Sequence, residues 1–393
     1  MPKKILHIVG TRPEIIKVAP VVQALKSCLW AAPRLITTGQ HRELLEQHLK
    51  IFGLTPDGDL KVMRPGQSLS KLTSHLADGL EDLLTAEKPD LVLAQGDTST
   101  VMVTAMICFY LGLPFAHLEA GLRSGDMRNP FPEEYNRKVA ALSTALHLAP
   151  TEGAKRALLA EGVPGASICV TGNTVIDSLY YMREQLGSMP ACPYPVDRQA
   201  KLLLLTAHRR ENFGQPLAGI FEVLGELVAG RPDIELLYPV HPNPQVSAMA
   251  REILGERERV HLSAPLDYQD FIGVLNNTHI VLSDSGGVQE EAPALGKPVL
   301  VLRQVTERRE LIEAGAAKLV GTDPEIIKSA ILALLDDPTE YAAMSQGISP
   351  YGDGRASLRV VDALAAFLGV VEQRQLSDFQ PKEPLKIAAS SKH

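Results

Sequence analysis

A polar, glycine-containing turn in the second half of the chain has the composition of a phosphate site. An aliphatic run at 280–283 leads into Ser285-Gly286-Gly287, and helix-forming residues follow. This pattern predicts a strand, a tight turn and a helix N-terminus, where unpaired backbone N–H groups and the helix dipole favour an anion. Ser285 adds a hydroxyl donor, and the glycines let a phosphate approach the backbone closely. Glu291, further along the helix, could accept hydrogen bonds from two ribose hydroxyls; a plain corner followed by a solvated glutamate is the alternative.

Three carboxylates in the first half have positions that suit proton transfer. Asp97 follows a predicted strand at 90–95, Glu119 ends another at 114–118, and Glu133 stands at a predicted helix start. Carboxylates are rarely buried without a partner or a task, which favours a functional role for Glu119. Such groups commonly act as general acids and bases. Asp97 could instead cap the next helix, Glu133 could serve the helix dipole, and the three could together hold a divalent metal.

Cationic residues follow predicted strands in both halves. Arg12 and Lys17 come after the first strand, His208 follows the strand at 202–206, and Arg308 follows the strand at 299–302. In open α/β sheets, ligands bind beyond the carboxyl ends of the strands. If the two halves face each other, these cations and the carboxylates line one cleft. A ligand with a diphosphate at one end and a neutral reacting group at the other would suit it.

Aliphatic runs alternate with helix-length segments along most of the chain. Continuous aliphatic strands that alternate with helices indicate parallel sheets covered on both faces. Two such series, separated by a proline cluster near 187–198, predict an α/β chain of two Rossmann-like, doubly wound domains. The expected strands are 5–9, 35–38, 90–95, 114–118, 147–149 and 168–171 in the first half, and 202–206, 235–240, 260–263, 280–283 and 299–302 in the second.

Composition and missing motifs argue against several classes of protein. The net charge of -7 argues against a nucleic-acid partner, and no apolar run is long enough to span a membrane. Four scattered cysteines fit a reduced, cytoplasmic protein. No G-x-G-x-x-G follows the first strand, and no histidine pair has metal-ligand spacing. We therefore expect neither a cofactor nor a metal.

Eight motifs, taken in order, resemble those of the bacterial non-hydrolysing UDP-N-acetylglucosamine 2-epimerases. The resemblance covers roughly residues 3–370; each motif alone is weak, but the ordered set is specific. The motifs are Gly10-Thr11-Arg12-Pro13-Glu14-Ile15-Ile16-Lys17, Gln95-Gly96-Asp97-Thr98, His117-Leu118-Glu119-Ala120-Gly121-Leu122-Arg123, Pro130-Phe131-Pro132-Glu133-Glu134-Tyr135-Asn136-Arg137, Thr171-Gly172-Asn173-Thr174-Val175-Ile176-Asp177, His208-Arg209-Arg210-Glu211-Asn212, the Ser285 turn, and Pro350-Tyr351-Gly352-Asp353-Gly354.

The resemblance implies the GT-B architecture, with the active site in the cleft between two Rossmann-like domains. It implies an N-terminal domain at 1–172 with the catalytic carboxylates, a UDP-binding domain at 173–356, and a last helix at 357–371 that crosses back. From 372 the polar composition predicts disorder. A homodimer is expected from the family alone.

The resemblance also implies interconversion of UDP-N-acetylglucosamine and UDP-N-acetylmannosamine, which supplies N-acetylmannosamine units for cell-surface polysaccharide. Asp97, Glu119 and Glu133 would surround the sugar, and His208 would neutralise charge on the diphosphate. The implied substrate contacts are Arg12, Lys17, Phe271, Ser285, Gly286, Gly287, Glu291 and Arg308.

Some members of the family carry a second, regulatory site for the UDP-sugar. In this chain the matching positions are Gln40, His41, Arg42, Arg64 and Gln67. Allosteric activation by the substrate is therefore a hypothesis for this protein.

Three other functions fit a similar cleft. A hydrolysing 2-epimerase would release N-acetylmannosamine and UDP. A GT-B glycosyltransferase would need room for an acceptor, which three crowded carboxylates disfavour. A non-catalytic nucleotide-sugar sensor would not require Asp97, Glu119 and Glu133 together.

Overall fold

The computed structural model describes residues 1–39, 42–64, 66–185, 192–194, 196–197, 199–207, 209, 212–347 and 349–381, apart from the side chains of 42–44 and 46. Contacts between Cα atoms divide the chain into two compact units. Unit 1 contains Met1–Tyr181 and Tyr351–Gln380, and unit 2 contains Met182–Pro350. In the part of the chain that is described, no helix is long and apolar enough to cross a membrane.

Strands and helices alternate in both units. The strands are β1 Lys3–Val9, β2 Ala31–Thr37, β3 Gly58–Asp59, β4 Leu91–Gln95, β5 Phe115–Leu118, β6 Leu146–Ala149, β7 Ile168–Val170, β8 Lys201–Thr206, β9 Ile234–Pro239, β10 Val260–Ser263, β11 Ile280–Ser283, β12 Val299–Val301 and β13 Ala317–Leu319. The α-helices are α1 Arg12–Lys26, α2 Arg42–Ile51, α3 Leu69–Glu87, α4 Ser99–Tyr110, α5 Glu133–Ser143, α6 Glu152–Ala160, α7 Thr174–Gln185, α8 Gln215–Gly230, α9 Pro244–Leu254, α10 Tyr268–Asn277, α11 Gly286–Ala294, α12 Arg309–Glu313, α13 Pro324–Asp336, α14 Pro338–Met344 and α15 Ala356–Phe367.

Unit 1 is built on a seven-stranded sheet in the order β3-β2-β1-β4-β5-β6-β7. Its pairings are parallel, and the order reverses direction at β1, so the sheet is doubly wound. The helix α3 shows how the sequence covers such a sheet, since its buried residues recur every four positions along one face. They are Leu72, Leu76, Leu80 and Leu84, and they join a core cluster with Val92 and Phe115 from the strands.

Unit 2 repeats this plan with a six-stranded sheet in the order β10-β9-β8-β11-β12-β13. Its pairings are also parallel, with β11 beside both β8 and β12. The core packs α8 and α13 against the strands through residues such as Phe221, Leu224 and Ile331. The prediction of two doubly wound α/β domains is confirmed.

The segment after α15 differs from the expected disorder as far as residue 381. Asp362 of α15 accepts hydrogen bonds from the backbone N–H groups of Gln375 and Leu376, at 2.9 Å each for the shortest contacts. Phe379 is only 3% exposed, and its N–H donates to the carbonyl of Val170 at 2.8 Å. A single buried aromatic residue thus gives order to a polar segment; residues 382–393 lie outside the described chain.

Candidate active site

Glu119 sits at the carboxyl end of β5 in unit 1, within a set of polar partners. Its Oε2 forms an ion pair with Nζ of Lys17 and accepts hydrogen bonds from the amides of Gln95 and Asn173, each at 3.0 Å. Both charged side chains are more than nine-tenths buried. Glu119 also has a φ of +66°. Such a positive φ is uncommon for a residue with a Cβ, and residues with this conformation are concentrated at functional sites. The backbone and the partners together fix the direction of this carboxylate.

Asp97 lies at the end of the neighbouring strand β4. One carboxylate oxygen is 2.9 Å from Nη2 of Arg137, which is itself 3% exposed, whereas the Asp97 side chain is 32% exposed. The cap of the following helix α4 is Thr98, whose hydroxyl accepts from the N–H of Val101. The alternative that Asp97 caps this helix is therefore wrong, because the adjacent threonine does so.

Glu133 is the first residue of α5 and is partly buried. Its carbonyl oxygen accepts from Nε of Arg137 at 3.3 Å, so the arginine that pairs with Asp97 also contacts the backbone at Glu133. The adjacent Glu134 is fully buried and accepts from the N–H groups of Ser124 and Gly125 at 3.0 and 3.3 Å. Glu134 thus fixes the loop before α5. Glu133 occupies the helix N-terminus, where the helix dipole favours a carboxylate.

A buried histidine supports the turn that carries Asp97. Nε2 of His117, in β5, donates to the carbonyl of Gly96 at 2.7 Å. Burial lowers the pKa of His117 to about 4, so the ring is neutral at pH 7. This histidine is part of the framework of the site.

Glu14 organises the turn between β1 and α1. Its Oε2 accepts from the backbone N–H groups of Gly10 and Thr11 at 2.7 and 2.6 Å, and its Oε1 accepts from the Thr98 hydroxyl at 2.6 Å. Burial raises the pKa of Glu14, and these donors oppose that rise. The Glu14 carboxylate therefore connects the turn that precedes Arg12 to Thr98, the residue after Asp97. Arg12 itself is exposed. Glu14 was not singled out in the sequence, although the Thr11-x-x-Glu14 spacing of a capping box is a signal for this arrangement.

In unit 2, Ser285 is the N-cap residue of α11, so the predicted strand, turn and helix N-terminus are present at β11 and α11. Its N–H donates to the Ser283 hydroxyl at 2.9 Å, and its side chain makes no capping hydrogen bond to the described residues. Gly286 and Gly287 form the first turn of the helix. The N-terminal end of α11 thus combines backbone donors with a serine hydroxyl.

Arg308 lies directly against this helix end. A Cβ on Gly286 would fall 2.6 Å from the guanidinium carbon, so any larger residue there would have to displace the Arg308 side chain. Arg308 is 5% exposed and pairs with Glu290 at 2.8 Å and with Glu307 at 2.5 Å. Glu307 also pairs with Arg303 at 2.9 Å. This chain of two arginines and two glutamates holds the guanidinium in place within a buried setting.

Glu291 is held by a tyrosine that the sequence did not single out. The hydroxyl of Tyr268, the first residue of α10, donates to Oε1 of Glu291 at 2.9 Å. The two residues are 3% and 5% exposed. Burial raises the pKa of Tyr268, and the Glu291 charge adds to that rise. Phe271, one turn along α10, is partly buried.

A further buried acid, Asp284, precedes the Ser285 turn. Its Oδ2 accepts from the N–H of Arg209 at 2.9 Å and from the amide of Asn212 at 3.0 Å. These contacts hold Arg209 and Asn212 beside Asp284. His208, which precedes Arg209 in the sequence, lies outside the described residues. Asp284 was not predicted to be a site residue, because in the sequence it is one of several polar residues in the predicted turn.

The residues of the hypothetical regulatory site are only partly described. Gln40 and His41 lie outside the described chain, and Arg42 begins α2 with a side chain that is not described. Arg64 is exposed. The Gln67 side chain contacts Met63 Sδ at 2.9 Å and His75 Nδ1 at 3.3 Å.

A divalent-metal site was the other option for the carboxylates. Within the described ranges, no group of three or more histidine, cysteine, aspartate or glutamate side chains is arranged to hold a metal ion. Among these carboxylates, Asp97 pairs with an arginine, Glu119 with a lysine and two amides, and Glu14 and Glu134 accept hydrogen bonds from backbone N–H groups.

The two parallel-sheet units, with polar residues at the strand ends, place the chain in the α/β class with a GT-B-like fold. The family model described as UDP-N-acetylglucosamine 2-epimerase matches residues 23–365. The chain belongs to this family.

Individual relatives agree with this assignment. The UDP-N-acetylglucosamine 2-epimerase of Escherichia coli (strain K12) is 45% identical over 368 residues, which cover 92% of this chain and 98% of that protein. The S. aureus MnaA–UDP co-structure is 43% identical with a TM-score of 0.89, and covers 96% of this chain and 100% of that one. The crystal structure of the Neisseria meningitidis UDP-GlcNAc 2-epimerase bound to UDP-GlcNAc is 41% identical, with a TM-score of 0.89. The match covers 92% of this chain and 99% of that chain.

Proposed function

We propose that the protein interconverts UDP-N-acetylglucosamine and UDP-N-acetylmannosamine without net hydrolysis. Family membership supports the 2-epimerase activity itself. One structural observation supports a route by elimination and re-addition: Asp97 and Glu119 follow the ends of neighbouring strands, and each pairs with a different cation, Arg137 or Lys17. Epimerisation by elimination and re-addition needs two proton-handling groups, and two carboxylates in distinct surroundings suit that need.

The chemistry of the sugar favours this route. No carbonyl acidifies the C2–H bond, and the chain has no dinucleotide fingerprint for an oxidation step. In the first step a base removes the C2 proton, the C1–O bond breaks with its electron pair passing to UDP, and a C1–C2 double bond forms. The resulting 2-acetamidoglucal accepts a proton on the opposite face of C2 while a UDP oxygen adds to C1. We propose that the acid and the base are drawn from Asp97, Glu119 and Glu133.

Retention of UDP is the second requirement, because a lost nucleotide would turn the enzyme into a hydrolase. We assign the diphosphate to the N-terminal turn of α11, formed by Ser285, Gly286 and Gly287, with Arg12, His208 and Arg308 as cations. The helix end and the positioned guanidinium would also stabilise the leaving group. We assign the ribose to Glu291 and the base to Phe271.

Other features of the proposal come from the family resemblance. They are a homodimer, a cytoplasmic enzyme that supplies N-acetylmannosamine units for cell-surface polysaccharide, and regulation by the substrate at Gln40, His41, Arg42, Arg64 and Gln67. A hyperbolic rate curve, with UDP-N-acetylmannosamine accepted alone, would contradict the regulation.

Proton NMR of the enzyme with UDP-N-acetylglucosamine in D₂O tests the reaction. We expect a UDP-N-acetylmannosamine signal, deuterium at C2 of both sugars and only traces of UDP. Free N-acetylmannosamine with an equal amount of UDP would assign the protein to the hydrolysing class. No change in the sugar would refute epimerase activity.

A further inference from the structure

The segment 374–380, here named the C-terminal strap, is fastened to unit 1 at both of its ends. At its start, Asp362 of α15 accepts from the N–H of Gln375. Near its end, Asp378 pairs with Arg374 at 2.6 Å and with Lys155 of α6 at 3.2 Å. These contacts bring Phe379 to the carboxyl end of β7, where its N–H donates to the Val170 carbonyl. The strap thus continues the backbone hydrogen bonding at the β7 end of the sheet.

Phe379 packs on the turn that follows β7. Cγ of Phe379 lies 3.4 Å from the position that a Cβ on Gly172 would take, so the ring packs directly beside this residue, which has a φ of +82°. The guanidinium of Arg359 is 5.5 Å from the centroid of the same ring. Arg359 also donates to the carbonyl of Thr171 at 3.4 Å. The strap and α15 therefore hold the turn together from one side.

The same turn carries a partner of Glu119. Asn173 follows Gly172, and its N–H donates to the carbonyl of Tyr351 at 2.5 Å. Its side-chain amide donates to Oε2 of Glu119 at 3.0 Å, and its Oδ1 accepts from the N–H of Val175 at 3.1 Å. The backbone position of Asn173 therefore sets where this donor meets the carboxylate. A shift of the turn would move the amide away from Glu119.

We propose that Phe379 and the strap are positioning elements for Glu119, which act through the turn at Gly172 and Asn173. The inference rests on the proposed role of Glu119 in proton transfer. Neither Phe379 nor Asn173 is required to touch the substrate. Because misplacement of a catalytic group by about 1 Å can cost about 100-fold in rate, loosening the turn is expected to lower kcat with little change in UDP affinity.

A double-mutant cycle tests the coupling. We expect Phe379→Ala and Asn173→Ala each to lower kcat by about 10- to 100-fold, with the Kd for UDP changed less than about 3-fold. In the Asn173→Ala background, Phe379→Ala should have little further effect, because the connection is already broken. Phe379→Leu should restore most of the activity. Phe367→Ala is the matched control, since this phenylalanine is 40% exposed at the end of α15.

The pH–rate profile and hydrogen exchange separate positioning from plain destabilisation. A positioning role predicts a displaced apparent pKa in the kcat profile of folded Phe379→Ala, and faster amide exchange in residues 168–175. Additive losses in the cycle, or an unchanged kcat and profile despite faster exchange, would overturn the proposal. If Phe379→Ala does not fold, Asp378→Asn takes its place in the same cycle, because it weakens the pairs of the strap with Arg374 and Lys155 and leaves the Phe379 ring intact. A wild-type enzyme with no epimerase activity would instead refute the proposed function, and the positioning role with it.

Discussion

Removing one hydroxyl from unit 2 tests how the nucleotide is held. In Tyr268→Phe the ring stays, and the donor to Glu291 Oε1 is lost. The two residues are 3% and 5% exposed, so water cannot easily replace the missing partner. A hydrogen bond to a charged acceptor in such a place contributes about 1.5–3 kcal/mol, and we expect the free energy of unfolding to fall by about that amount.

The effect on binding follows from the orientation of the carboxylate. With the Tyr268 donor lost, Glu291 is less well fixed for the ribose hydroxyls. We expect the Kd for UDP to rise about tenfold, which is about 1.4 kcal/mol. Isothermal titration calorimetry with UDP and with 2′,3′-dideoxy-UDP measures this, because the second ligand lacks the hydroxyls.

The comparison of the two ligands decides whether the effect passes through the ribose. The variant should bind dideoxy-UDP as the wild type does. Tyr341→Phe is the matched control, since it removes a hydroxyl that donates to the His279 carbonyl at 3.3 Å in the same unit. An equal loss of affinity for both ligands would refute the reasoning about Tyr268. Equal affinity of the wild type for both ligands would refute the assignment of Glu291 to the ribose.

Three further predictions concern stability. Gly286→Ala should lower the free energy of unfolding by about 1–3 kcal/mol, because the added Cβ would clash with Arg308. Gly287→Ala is the control and should change it far less, since no atom lies within 4 Å of the added Cβ. Urea unfolding of the free protein compares the two variants. Asp177→Ala should cost about 1–3 kcal/mol, since Asp177 accepts from both the N–H and the hydroxyl of Ser357 at the start of α15; thermal unfolding measures the loss. Burial lowers the pKa of His7 from 6.5 to about 4, so its contribution to stability is present above pH 6.5 and is lost as the pH falls towards 4. Between pH 7 and pH 5, the free energy of unfolding of His7→Gln should therefore fall by about 2 kcal/mol less than that of the wild type. Unfolding at each pH can be followed by the fluorescence of the single tryptophan. An equal fall in both proteins would contradict this prediction.

Patterns within one segment predicted most of the fold. The strands at 260–263 and 280–283 were predicted with the bounds that the structure gives, because each is an aliphatic run between clear turns. The strands β3 and β13 were missed because neither is a continuous aliphatic run: β3 is Gly58–Asp59, and β13 carries Lys318 at its centre. The leucine spacing likewise predicted α3, and the Ser-Gly-Gly turn predicted the start of α11.

Partners that are distant in the chain could not be predicted in this way. Lys17 and Glu119 are 102 residues apart, and Tyr268 and Glu291 are 23 apart, so no local spacing relates them. Phe379 lies in a segment whose composition resembles a disordered tail, and only its burial against Gly172 shows otherwise. The sequence motifs indicated candidate site residues, whereas the tertiary structure identifies the residues that hold those side chains in position.

The division of unit 1 into two stretches of sequence has a consequence for biosynthesis. The seven strands of its sheet are translated first, but Tyr351, α15 and the strap are translated only after the stretch Met182–Pro350 of unit 2. Domains generally fold as units during synthesis, so unit 2 can fold while unit 1 still lacks the residues that contact Asn173. Completion of unit 1 then requires closure of a loop of roughly 170 residues, whose entropic cost grows only slowly with length. The nascent chain would therefore complete the surroundings of Glu119 among its last folding events.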